Sequence, residues 1–174
     1  MDDAYLGGGR PCGTADRGSE NKILIVEAVS LNESGHLIHA RIRVVNGFSS
    51  EVISNWAKRH LAPGSKVIFG GLAYFYAVAT ANCHHKSVVT DGKYPNELPQ
   101  FRWINTLLGN LKTSFCGTFH PFNLDKYARR YLGGNYFRFN RRFSMSDMTE
   151  RISNAVYGYM PIIERDPRDA ELCG

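Results

Sequence analysis

The chain has 174 residues, of which 43% are hydrophobic and 21% charged, with a formal net charge of +5, enough for one compact domain with its own core. No apolar run approaches the roughly 18 residues that a membrane-spanning helix needs, and the opening MDDAYLGGGR lacks the apolar stretch of a signal peptide. A cytoplasmic protein with no membrane partner is expected, and the positive balance permits a polyanionic one.

Asp2 and Asp3 open what reads as the first strand. Successive strand residues face opposite sides, so only one of the pair can point at a given site. The glycine-rich stretch up to residue 22 reads as a loop. ILIVEAVS (Ile23 to Ser30) and HLIHARIRVV (His36 to Val45) flank the turn NESG and predict an antiparallel hairpin. GFSSEVISNWAKRHL predicts a helix capped by Ser49 or Ser50, with Val52, Ile53, Trp56 and Ala57 on one stripe and APGS ending it. KVIFGGLAYFYAV reads as a short buried strand running through Gly70-Gly71 into an amphipathic helix, and HKSVVT (His85 to Thr90) as another strand. After the turn-rich DGKYPNELPQ, a helix is predicted over Phe101 to Phe115, broken by CGTFHPF. A longer helical region then runs to about Arg142, and a last helix starts near Ser146. The order β-β-β-α-β-α-β-α-α-α predicts an α/β fold, a mixed sheet covered by helices.

Cys12, Cys83, Cys116 and Cys173 are scattered without a CxxC pair, so no structural zinc is expected and free thiols are the simpler reading. Cys83-His84-His85 is a local soft-ligand cluster, but adjacent residues rarely converge on one ion. Asn105 and Lys112, seven residues apart, share a helix face roughly 10 Å apart along the axis. A polar stripe on an amphipathic helix explains that spacing equally well. Lys126 to Phe143 interleaves aromatics with Arg129, Arg130, Arg138, Arg141 and Arg142. Arginines neutralise phosphates and aromatics stack on bases; Tyr127, Tyr131 and Phe139 also read as core.

Together, MDDAYLGG, DRGSENK, APGSKVIFGGLAYF, FRWINTLLGNLKTSFCGTFHPF and KYARRYLGGNYFRFNRRF resemble, in that order, the ISXO-type transposases of bacterial insertion sequences. The likeness runs from Met1 to about Ala155, and its W-x-N-T-x-L-G-N-x-K-T and Y-x-R-F-N-R-R-F blocks are its most specific parts. It implies an RNase H-like domain, of the retroviral integrase type, that cuts and joins DNA with two Mg²⁺ or Mn²⁺ ions. Asp, Asp and Asn or Glu gather the metals, and a lysine follows the third ligand on the same helix. One ion activates the attacking hydroxyl and the other stabilises the leaving oxygen, and hard oxygen ligands hold both.

Carried across residue by residue, the first aspartate falls on Asp2 with Asp3 beside it, the third ligand on Asn105, and the lysine on Lys112, a phosphate contact. GTFH matches a G-T-Y-H pattern and makes His120 a weaker candidate. The second aspartate belongs to a V-x-S-D-G-L-A-x-F pattern, which reads V-I-F-G-G-L-A-Y-F here, so it falls on Gly70. Asp91, in the look-alike VVTDG 14 residues before Asn105, is the weaker substitute because its surroundings read as loop. One carboxylate and one amide are then left for two dications, so a degenerate, inactive copy with impaired metal binding is expected.

Family members carry a zinc ribbon and further DNA-binding region before the first catalytic strand, whereas Met1 here directly precedes Asp2. The expected limits are therefore 1–157 for a catalytic domain with a truncated first strand and 158–174 for a C-terminal tail, as in an insertion-sequence remnant or one piece of a split gene. The partners implied are transposon-end and target DNA, with a homo-oligomer allowed. The alternative is a non-catalytic DNA-binding or assembly partner that inhibits an intact transposase.

Overall fold

Val, Ile and Ala at alternate positions build an antiparallel sheet in which each face buries its own set of side chains. The computed structural model describes residues 1–7, 22–89, 92, 98–118 and 124–158. Strands β1 (Asp2–Leu6), β2 (Ile23–Leu31) and β3 (Leu37–Val45) pair in the order β1-β2-β3. The β2–β3 hairpin is the predicted one, with a bulge at Ser30/Leu31.

One face of this sheet buries Met1, Val26 and Val45 against α1 (Ser50–His60), through Ile53, Trp56 and Ala57. Helix α1 begins as expected, with the Ser49 hydroxyl accepting the Val52 N–H. The opposite face buries Ala4, Leu6, Ile23, Ile25, Ala40 and Ile42. Covering it are α2 (Arg102–Thr118), through Leu107, Leu108, Leu111 and Phe115, and α3 (Leu124–Asn140), through Ala128 and Leu132.

Strands β4 (Lys66–Phe69) and β5 (His84–Ser87) form a parallel pair. The Met1 ammonium donates to the Ile68 carbonyl at 2.8 Å, so β4 lies beside β1. Val67 and Phe69 point into the α1-side core, while Ile68 packs with Phe101 and Ile104 at the start of α2. The result is a mixed α/β architecture.

Several boundaries differ from the sequence reading. The helix predicted after Gly71 is a 3₁₀ segment, Ala73–Ala81, whose buried residues Phe75, Val78 and Ala81 recur every third position. That period matches three residues per turn, not 3.6. Strand β5 covers His84–Ser87, earlier than the predicted His85 to Thr90; the Val88 N–H to Phe69 carbonyl bond continues the ladder by one rung. Helix α2 passes the expected break and reaches Thr118. Helix α3 holds Gly133 and Gly134 in its interior and is pinned to the outer strand by Asn140. The Asn140 side chain accepts from Ala40 N–H at 2.8 Å and donates to Ala40 C=O at 2.9 Å, so a helix covers the backbone edge of β3. Helix α4 (Met145–Gly158) starts one residue before the expected Ser146.

Candidate active site and nucleic-acid interface

Strand alternation assigns the two N-terminal acids to different faces. Asp2, Ala4 and Leu6 share the face that α2 covers, and their register partners are Glu27, Ile25 and Ile23. Asp3, paired with Val26, lies on the α1 side. Asp2 is half-buried, and its carboxyl is held above the ordinary value by desolvation first and by Asp3; backbone hydrogen bonding, the Met1 ammonium and Lys112 oppose the rise.

Lys112 therefore acts electrostatically on Asp2 from the covering helix. The buried residues Ile104, Leu107, Leu108, Leu111 and Phe115 define that helix's inner stripe. At about 100° per residue, Asn105 and Lys112 fall within roughly 20° of each other on one flank of it. Both are exposed. Asn105 thus lies two turns along the flank that carries Lys112.

Gly70 directly follows β4 and carries no ligand. A Cβ added there meets no atom within 4 Å, and the backbone has no left-handed φ to forbid a side chain. The position is open, so the absence of a carboxylate is a property of the sequence and not of crowding. Its neighbour Gly71, with φ of +71°, is the residue whose backbone favours glycine.

Glu27 was not singled out from the sequence, yet it is the one fully buried charged side chain among the described residues. Neither carboxylate oxygen has a hydrogen-bond partner. Its carboxyl is pushed up to about 8, by desolvation first and then by the neighbouring Asp2, against the pull of the Met1 ammonium. The signal was legible: a lone acid inside the apolar run ILIVEAV has nowhere polar to go.

Among the described residues no three His, Cys, Asp or Glu side chains gather at one point. Of the three ligand positions that the resemblance implies, the described residues supply one carboxylate, Asp2, and one amide, Asn105, which alone do not fit a pair of dications that each take several hard oxygens. Asp91 and His120 lie outside the described residues, as do Cys12, Cys173 and residues 159–174. Cys83 is buried, its thiol 3.6 Å from the Ala62 and Ala81 carbonyls, while His84 and His85 are exposed.

The arginines of α3 and of the turn after it have differing surroundings. The Arg142 guanidinium donates to the Leu37, Ile38 and Phe139 carbonyls and lies over the Phe139 and Phe143 rings. It holds the turn after α3 onto β3. Arg141 sits 3.8 Å from the Phe137 ring centre, and Arg138 donates to Asn135. Arg130 is exposed. Tyr131 and Phe139 pack against the core, as the aromatic pattern suggested, and Tyr127 is half-buried. Arg129 faces an open cleft of about 630 Å³ between β3, α1 and α3, shared with Arg43, Arg59, His60, Asn46 and Asn55. Burial and then Arg41, Arg43 and Arg59 hold His60 below its ordinary value, a sign of concentrated positive potential. Arg43 and Arg59 were not read as candidates, because β3 and α1 contribute them one at a time.

The first strand of the mixed sheet thus carries a half-buried acid, Asp2, under the electrostatic influence of Lys112 on the helix above it. The ISXO2-like transposase domain family matches residues 1–140, and the chain belongs to that family. No curated protein and no solved structure gives a significant match. At family level this is a domain of insertion-sequence transposases, which act on DNA and generally use divalent cations. No helix among the described residues is long and apolar enough to cross a membrane.

Proposed function

We propose that this chain is an RNase H-like transposase domain that still engages DNA in the bacterial cytoplasm but has lost strand-transfer chemistry. The observation that carries the reading is Gly70. It follows β4, the strand that the Met1–Ile68 hydrogen bond places beside the strand bearing Asp2, and its side-chain position is open. Side chains from neighbouring strands are close enough to share a pair of ions about 4 Å apart. With glycine there, Asp2 and Asn105 remain as the family ligands and Lys112 remains for a phosphate.

The alternative, a DNA-binding or assembly partner of an intact transposase, is favoured by the cleft of Arg43, Arg59 and Arg129. Lys112, Arg130, Arg138 and Arg141 add positive charge elsewhere on the DNA-contacting surface, whereas Arg142 acts chiefly on stability through its three carbonyls. The test is to incubate the purified chain with Mg²⁺, a labelled transposon-end duplex and target plasmid. Salt-dependent binding without joined product is expected. Joined product refutes the loss of chemistry, and no binding at low salt refutes the retained DNA contact.

A further inference from the structure

We propose that Asp2 and Glu27 form a seat for a single divalent cation, built between β1 and β2 instead of between β1 and β4. The inference rests on the transposase reading for its choice of cation and on this chain's own geometry for its location.

The two residues are direct partners in the antiparallel register and share the face beneath α2. Directly opposed residues have their Cβ atoms about 5 Å apart, close enough for both carboxylates to reach one ion. Two like charges so placed repel, and the pair persists only with a proton or a cation between them.

Glu27 is the second, independent observation. It is fully buried, both oxygens lack partners, and the register sets it beside Asp2 on the same face of the sheet. Buried carboxylate oxygens without donors are costly, and native proteins rarely leave them so. The basic groups acting on the pair are the Met1 ammonium, which donates to the Ile68 carbonyl and acts on both acids, and the exposed Lys112, which acts on Asp2. Neither donates to Glu27.

Half-buried Asp2 opens the seat towards solvent, so that water completes the shell of an ion held by two carboxylates, a common arrangement for Mg²⁺. Lys112, on the α2 flank, acts on Asp2 and offers its charge to a phosphate approaching the ion. A carboxylate lost after β4 and one present on β2 leave room for one ion where the family uses two. Metal binding therefore survives while joining chemistry does not.

Calorimetric titration of Mn²⁺ into the chelator-treated full chain, with Glu27→Gln and Gly70→Asp alongside, tests the proposal. One ion per native chain is expected, with affinity falling about tenfold to a hundredfold in Glu27→Gln and a second ion appearing in Gly70→Asp. Absent binding by the native chain, or unchanged affinity in Glu27→Gln, overturns it; the first result means that the pair shares a proton instead. If Glu27→Gln fails to fold, Mn²⁺-induced broadening of native amide signals decides. Loss centred on Asp2, Glu27 and Ile42 supports the seat, and loss centred elsewhere overturns it. Strand transfer is scored separately, so a chain that binds one ion and joins no DNA upholds both readings. One that binds none and joins none removes only this inference.

Discussion

Glu27→Gln removes a buried ionisable group while keeping the side chain's size. In the native chain the Glu27 carboxyl titrates near 8, against an ordinary value of 4.5. Between those values the folded chain keeps a proton that the unfolded chain releases, so stability falls as pH rises through the window. Each pH unit is worth about 1.36 kcal/mol, so the full window corresponds to about 4 to 5 kcal/mol. That is a large fraction of the roughly 5 to 15 kcal/mol that holds a domain together.

Glutamine has no such titration, although its buried amide adds a constant cost of about 1 to 3 kcal/mol. The slope of the difference is therefore the readout, not its level. The Met1 amine and Asp2 titrate in both proteins and largely cancel. Urea denaturation in chelator at several pH values from 5 to 8 should show the variant gaining on the native chain by about 1.4 kcal/mol per pH unit. A difference that stays constant with pH refutes the reasoning and returns Glu27 to an ordinary ionised state.

Gly70→Asp should fold with stability within about 1 kcal/mol of the native chain, because its Cβ meets open space; a loss of several kcal/mol in thermal denaturation contradicts the geometry. Asn140→Ala removes both bonds to Ala40 and should cost about 2 to 3 kcal/mol, read by denaturant midpoint. Arg43→Ala and Arg59→Ala should each lower the slope of log affinity against log salt for a DNA duplex by about 1 while leaving the melt unchanged. Arg142→Ala should do the reverse, lowering the melt more than the slope.

The strands and the α1 cap were legible because apolar alternation and a serine before a helical stripe are local signals. The hairpin, Ser49 and the α/β class followed directly from them. The 3₁₀ segment was not, since AYFYAVATA is almost all apolar or aromatic and its three-residue period emerges only when burial selects Phe75, Val78 and Ala81. Asp2, Asn105 and Lys112 were reached through family resemblance, and the structure adds the electrostatic link between the first and last. The burial of Glu27 was legible from its apolar run, but its place opposite Asp2 and the Arg43–Arg59 cleft depend on which strands pair and which helix covers them. No local pattern encodes a register that brings residue 27 opposite residue 2.

The most direct measurement is nicking of supercoiled plasmid by the purified chain in Mn²⁺, a sensitive readout of metal-dependent phosphodiester cleavage. The account predicts no nicking above a metal-free control, because Gly70 leaves no second ion in place. Mn²⁺-dependent nicking that Asp2→Asn abolishes would contradict it, since the chain would then be a working nuclease without the missing aspartate.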